Sequence, residues 1–277
     1  MLQLFIIKNF IFNCVYLAMT PYPSDMKMQI FLAYLKLTTT LLFIDPIARF
    51  KQTTVLGLTI EAFNYRTLQY LFGEIFVRNE YFFQTDVKKP VIIDCGSNIG
   101  MSVIFFKFLY PHATIHAFEP DPVTFALLEK NIKVNKLSDV HLHNEAVSDK
   151  KDQLTFYTEV TPGSLLMSVI KDRISGKEIK VPAISLADFM KKLNVTFLKM
   201  DIEGHENAVM KDLASKKILS SFDKMAIEYH HNIPAHPSRL AEFLVDIEKA
   251  GFNYQIDAAS IPVIDRKFQD ILIAAYK

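Results

Sequence analysis

The residues of this 277-residue chain that could carry chemistry sit just after short apolar runs, and most of them are acids. The first group is Asp94-Cys95-Gly96-Ser97-Asn98-Ile99-Gly100, which follows Val91-Ile92-Ile93. The chain has only 8 glycines, so Gly96 and Gly100 together are an unusual expense for an ordinary turn. Glycine lets the main chain approach a ligand closely, and a following helix N-terminus points unpaired N–H groups into the same space. The second group is Phe118-Glu119-Pro120, where a carboxylate offers two acceptor oxygens suited to a vicinal diol. Glu119 lies 23 residues beyond Gly96, close to the roughly 20 residues that separate a glycine loop from a ribose-binding acid in nucleotide-binding units. The third and fourth groups are Asp201 with Glu203, after Phe197-Leu198-Lys199-Met200, and Glu228 with His230, after Met225-Ala226-Ile227. Carboxylates and a histidine at such positions are the side chains that take or hold a proton.

The elements that must position these groups follow from hydrophobic periodicity. After Pro90, short apolar runs alternate with longer amphipathic stretches, which predicts a mostly parallel sheet with crossover helices on both faces. Strands are predicted over 91–95, 114–118, 140–143, 196–200, 224–229, 252–256 and 271–276, and helices over 99–110, 122–135, 204–213 and 237–250. Leu154 and Phe156, with Ile179 and Val181, are expected in additional edge strands. An open sheet of this kind binds ligands beyond the carboxyl ends of its strands, where the strand order switches. All four groups lie at such ends.

The glycine loop also discriminates between cofactors. A dinucleotide fingerprint needs small residues where this chain has Asn98 and Met101, so a nicotinamide dinucleotide is disfavoured as the ligand. An acid at the strand end, Asp94, is poorly placed beside a phosphate and well placed beside a cation. S-adenosylmethionine carries both an ammonium and a sulfonium, and Glu119 would take its ribose.

The stretch from Phe72 to about Ile256 resembles the FkbM family of S-adenosylmethionine-dependent methyltransferases. The resemblance rests on Ile93 to Gly100, Phe118-Glu119-Pro120-Asp121-Pro122, Lys130-Asn131-Ile132, Asn144 to Asp149, Lys199 to Glu206 and Glu228-Tyr229-His230, in that order and spacing. It implies a class I methyltransferase fold and O-methylation of a hydroxyl on a sugar, glycan or secondary metabolite. It also implies that Ala146 and its neighbours lie against the adenine. The cofactor-binding residues expected are therefore Asp94, Gly96, Asn98, Gly100, Glu119 and Ala146.

Methyl transfer to oxygen is an in-line displacement in which the protein mainly holds nucleophile, methyl and sulfur in line. A sugar hydroxyl is a weak nucleophile, so a base must take its proton. Asp201 and His230 are the first candidates, with Glu228 next. Asp201, Glu203 and Glu228 could instead gather a divalent cation, provided that a turn at Gly204 brings the first two together. The expectation here is a site without metal. His112, His116, His141 and His143 are expected to pack or face solvent, His205 and His231 lie near the site, and Ser164 is a substrate-contact candidate.

Composition narrows the remaining classes. Lys and Arg total 31 against 30 Asp and Glu, for a net charge of +1, which gives no electrostatic reason to expect nucleic acid as a partner. The 2 cysteines form no C-x-x-C motif, which excludes a disulfide framework and a thiolate zinc cage. Residues 1–20 are apolar enough to suggest a membrane anchor, but Gln3, Lys8, Asn9 and Asn13 interrupt the run. A helix packed on the protein body is preferred, with a cytoplasmic location. Residues 1–65 are expected to form a helical cap, with a hairpin near Gly57 and a helix over 66–83, and residues 66–277 the main domain. The competing functional readings are a nicotinamide oxidoreductase and a membrane-tethered nucleoside-binding module.

Overall fold

The computed structural model describes residues 2–44, 51–158, 167–168, 177–232, 239–258 and 269–277. It opens with helices α1 (Leu2–Met19) and α2 (Ser24–Phe43), then the antiparallel strands β1 (Gln52–Val55) and β2 (Leu58–Glu61). Leu56 and Gly57 both have positive φ, 53° and 75°, as the tight two-residue hairpin turn that suits strand twist requires. Helix α3 (Tyr65–Phe72) starts where the Asn64 side chain caps Thr67 N at 2.8 Å. It runs into a π-helical turn over Gly73–Val77, and Asn79 at φ 68° ends it. The helix predicted over 66–83 is therefore shorter, because the left-handed residue breaks the ladder before Phe83.

The body then alternates β3 (Val91–Cys95), α4 (Met101–Leu109), β4 (Thr114–Phe118), α5 (Pro122–Val134) and β5 (Val140–His143). Next come β6 (Ala146–Ser148), β7 (Asp152–Thr158), β8 (Met167–Ser168), β9 (Lys177–Ser185) and α6 (Leu186–Met190). The chain closes with β10 (Phe197–Met200), α7 (Glu206–Ser215), β11 (Lys224–His231), α8 (Leu240–Lys249), β12 (Asn253–Ala258) and β13 (Gln269–Tyr276).

Seven strands form one sheet in the order β12-β13-β11-β10-β3-β4-β5, parallel from β11 to β5 and antiparallel where β13 meets β11 and β12. This is the expected Rossmann-like arrangement. The chain steps from β3 outward to β5 and then returns to the opposite flank of β3, so the loops leaving β3 and β10 diverge and open a crevice between them. The strands over Leu154–Phe156 and Ile179–Val181 do not extend that sheet. They belong to a separate four-stranded sheet ordered β6-β9-β7-β8. Ser164 lies outside the described residues.

Alternation along the strands sorts the site. Ile92, Phe197 and Ala226 share one core with α4, α5 and the first three helices, whereas Ile93, Leu198 and Ile227 share another with α6, α7 and α8. Successive strand residues point to opposite faces, so Asp94, Lys199, Glu228 and His230 continue the face covered by α4 and the N-terminal helices. That first core runs without interruption from Leu17 through Phe72 and Phe76 to Phe105. Helix α1 packs by one side only. Leu4, Phe5, Ile11, Phe12 and Met19 are exposed, and among the described residues no helix is long and apolar enough to cross a membrane.

Candidate active site

The loop after β3 is tied to the end of β4 by main-chain and side-chain bonds. Gly96 N and Ser97 N donate to Phe118 O at 3.0 and 2.9 Å, and Asn98 N donates to Glu119 Oε2 at 2.9 Å. Asp121 N donates to Glu119 Oε1, also at 2.9 Å. Glu119 is thus fixed at the crevice by one N–H from each loop. Burial, aided by the Asp121 charge, pushes its pKa up to about 8 against those donors. Gly96 has φ +82°, and a Cβ placed on it would lie 1.9 Å from Asp201 O. Asn98, at φ 49°, and Gly100, at φ 91°, are left-handed as well. The loop therefore curls through three left-handed residues, and its main-chain N–H groups from Gly96 to Gly100 are all bonded to the loop itself or to the end of β4.

Asp94 is fully buried. Its Oδ2 accepts from Ser102 Oγ at 2.5 Å, and Lys199 Nζ lies 3.4 Å from its Oδ1. No hydrogen bond reaches Oδ1 among the described residues. Lys199 is the cross-strand neighbour of Asp94. Its ammonium also donates to Gly96 O at 2.5 Å and Cys95 O at 3.2 Å, and lies 3.7 Å from Asp201 Oδ2. Burial opposes the lysine's charge, but Asp94, Asp201 and Glu228 outweigh it and raise its pKa. The sequence reading placed a cationic ligand against Asp94. In the structure a cation of this chain, Lys199, lies beside that carboxylate and clamps the loop carbonyls.

At the ends of β10 and β11 the acids converge. His230 is buried, with Nδ1 2.7 Å from Glu206 Oε1 and Nε2 3.2 Å from Glu203 Oε2. Asp201 Oδ1 and Asp270 Oδ1 lie 3.9 and 3.8 Å from Nε2. Burial disfavours the charged ring, yet Glu206 and Glu203 reverse this and hold its pKa well above the ordinary value. Glu206 also accepts from Ile202 N and Gly204 N at 3.3 and 3.0 Å. Both ring nitrogens of His230 thus face carboxylates, Glu206 on one side and Glu203, Asp201 and Asp270 on the other. Burial, with the Asp201 charge beside it, pushes the Glu228 carboxyl well above the ordinary carboxylate range. Asp201 is part-exposed, with a side chain 24% accessible, and its Oδ1 receives no hydrogen bond among the described residues.

Asp201 and Glu203 do approach one another. Glu203 at φ 60° and Gly204 at φ 109° supply the turn, and donor atoms of Asp201, Glu203 and His230 all lie within 4.8 Å of one another. Donor atoms of Glu228, His230 and Asp270 meet the same limit, so two overlapping sets could hold an ion.

Sequence reasoning missed the residues that the N-terminal helices bring in. Arg78 pairs with Glu74 at 3.0 Å and with Glu80 at 3.5 Å, and Lys199 Nζ sits 5.2 Å from the centroid of the Tyr81 ring. Burial, with the Glu74 charge, raises Glu80 to about 8. The only local signal was Lys199 itself, since a lysine inside an apolar strand needs a buried anion.

Ala146 packs with Phe156, Val181 and Ala183. Its segment is held near Glu119, because Asn144 Nδ2 donates to Glu119 O at 2.9 Å and to Pro120 O at 3.2 Å. His205 Nε2 lies 3.1 Å from Ser148 Oγ.

Residues 94–254 match the family described as the methyltransferase FkbM domain. The chain belongs to the FkbM methyltransferase family. Methyltransferase 1 of Beauveria bassiana is 29% identical over 167 residues, covering 53% of this chain and 67% of that protein. The 31-O-demethyl-FK506 methyltransferase FkbM of Streptomyces tacrolimicus is 28% identical over 189 residues, covering 56% of this chain and 72% of that protein. Among solved structures, M. jannaschii TYW2 in complex with AdoMet aligns over 81% of this chain and 85% of its own, with a TM-score of 0.42 and 15% identity. As an FkbM-family methyltransferase, the chain uses S-adenosyl-L-methionine. One arrangement here fits that cofactor: the Glu119 carboxylate is fixed at the crevice by a main-chain N–H from each of two loops.

Proposed function

We propose that this chain O-methylates a hydroxyl of a small-molecule acceptor, a secondary metabolite or a sugar, with Asp201 as the proton acceptor. One observation carries the reading: Asp201 is built against the glycine loop itself. Its N donates to Cys95 O at 3.1 Å, and its carbonyl occupies the space a Gly96 side chain would need. The candidate base and the candidate cofactor loop therefore form one rigid unit, as in-line transfer demands.

S-adenosyl-L-methionine supplies a methyl group already activated on sulfur. Gly96, Asn98 and Gly100 would receive its methionine end, with Asp94 holding the loop through Lys199. Glu119 would accept its ribose hydroxyls, and the segment at Ala146 would border the adenine. Asp201 takes the hydroxyl proton on its carboxylate. Lys199 Nζ and His230 Nε2 lie 3.7 and 3.9 Å from the two oxygens of that carboxylate. His230 is a positioning residue that fixes Asp201 and Glu203.

Asp201→Asn keeps the shape and removes the proton acceptor. Loss of general-base catalysis costs about 10²–10⁴-fold in rate. Transfer of labelled methyl from S-adenosylmethionine to extract-derived acceptors should fall by at least about 100-fold, with S-adenosylhomocysteine affinity unchanged. Turnover at the unmodified rate in this variant would remove Asp201 from the chemistry.

A further inference from the structure

Helix α1 is apolar on both of its sides. Ile6, Phe10 and Leu17 join the core, and the Phe10 ring lies 5.4 Å from that of Tyr34 on α2. Asn13 Nδ2 donates to Tyr34 Oη at 2.8 Å and Lys27 Nζ to Ala18 O at 2.7 Å, so the helix is held in one rotation about its axis. The opposite side carries Leu4, Phe5, Ile11, Phe12, Val15 and Met19, each 56–73% exposed. At about 3.6 residues per turn these fall within roughly a third of the helix circumference, and the exposed Lys8 lies near the middle of that arc. A helix that faces water carries polar side chains on that face. This one does not, and contiguous exposed apolar surface of this kind marks a contact with a partner or a membrane.

The charge pattern separates the two occupants. Lys8 is the single charged residue of α1, and no acid precedes Asp25 in the sequence. A symmetric contact between two copies sets the same patch against itself, which would bring two lysines into an apolar interface with no acid of either α1 to receive them. An anionic lipid surface supplies phosphates for Lys8 and an acyl boundary for the side chains around it. Crossing is not available, since among the described residues no helix is long and apolar enough to span a bilayer.

We propose that α1 lies in the plane of an anionic membrane surface, with its outer side at the boundary of headgroups and acyl chains and its inner side packed on the protein. The inference does not depend on the methyltransferase reading. It accounts for a helix whose two sides are both apolar, because each meets an apolar medium.

The test is sedimentation of the full chain with vesicles of equimolar phosphatidylcholine and phosphatidylglycerol. The chain should pellet with them. Ile11→Gln combined with Val15→Gln, which makes the outer side polar without touching the core, should lower vesicle affinity at least about tenfold. Lys8→Gln should lower it about fivefold and leave the affinity for phosphatidylcholine alone unchanged. Thermal melts of both variants should superimpose on that of the unmodified chain, because exposed substitutions barely alter stability. Absence from the vesicle pellet, or undiminished affinity for the mixed vesicles in either variant, would overturn the proposal. So would lowered melting midpoints, which would place the substituted side chains in the core. A dimer in sedimentation velocity that the double variant breaks, with no vesicle binding, would give the face to a second copy instead.

Discussion

At Gly96 any side chain would collide with the main chain of the neighbouring strand end, while at Gly251 the same left-handed conformation faces open space. Their φ values are +82° and +86°, so the two positions share the backbone cost of an L-residue, about 1–2 kcal/mol, and differ in the clash alone. Gly251→Ala should lower stability by about that amount. Gly96→Ala should lower it by more than about 3 kcal/mol, the range of overpacked or strained sites, and should weaken S-adenosylhomocysteine binding as well. Urea denaturation of both variants checks this, and equal losses would contradict the described contact with Asp201 O. Residues of this kind were partly legible in the sequence. The glycine loop and Glu119 are contiguous motifs at strand ends, so their place beside one another at the crevice could be read locally. The upward shift of the His230 pKa could not, because it depends on Glu206 and Glu203, which meet the ring only through the fold. The pairing of Asp94 with Lys199 was not legible either, because the two are 105 residues apart in sequence and meet only through strand register.

At the level of elements, β4 and β5 hold a stack of imidazoles. The His116 ring lies 4.8 Å from His141 and 5.6 Å from His143, and its Nδ1 is 3.3 Å from His143 Nε2. Burial first, then the neighbouring His141 and His143, lowers the His116 pKa to about 4 from 6.5. Above about pH 6.5 both folded and unfolded chains carry this ring neutral, so stability is insensitive to its titration. Between about 6.5 and 4 the unfolded chain binds a proton that the folded chain refuses, so stability falls as pH falls. Denaturation midpoints across that window should drop in the unmodified chain and drop less in His116→Phe. An identical pH slope in the two would count against the stack as its origin. Elements were the most legible level of this molecule, because apolar runs such as Val91–Ile93 and Thr114–Phe118 carry their period with them. What alternation does not encode is the partner of a strand, which is why Leu154–Phe156 and Ile179–Val181 were expected at the edge of the main sheet and instead form their own. The early end of α3 is similar, since apolar spacing continues past Val77 but Asn79 turns left-handed.

Across the whole molecule the N-terminal helices are part of the enzyme's interior. The core that contains Leu17, Leu37 and Phe72 also contains Ile92, Phe105 and Phe197. Calorimetric unfolding should therefore show one transition spanning cap and sheet, and two resolved transitions would mean that the cap melts alone. This continuity explains what could not be read from sequence. Glu74, Arg78, Glu80 and Tyr81 precede the first cofactor motif and carry no motif of their own, yet the fold joins the first three by ion pairs and sets the Tyr81 ring against Lys199. The central claim is that the loops after β3 and β4 form one site for S-adenosyl-L-methionine, anchored by Glu119. Because burial raises Glu119 to about 8 and the ionised carboxylate accepts the diol, affinity should rise from pH 6 to about pH 8 and then level off. Calorimetric titration of S-adenosylhomocysteine across that range, into the unmodified chain and Glu119→Ala, is the most direct test. Binding that strengthens with pH, and falls at least about tenfold in the variant, an energetic loss of about 1.4 kcal/mol, is the predicted result. No binding, or equal binding to both proteins, would contradict it.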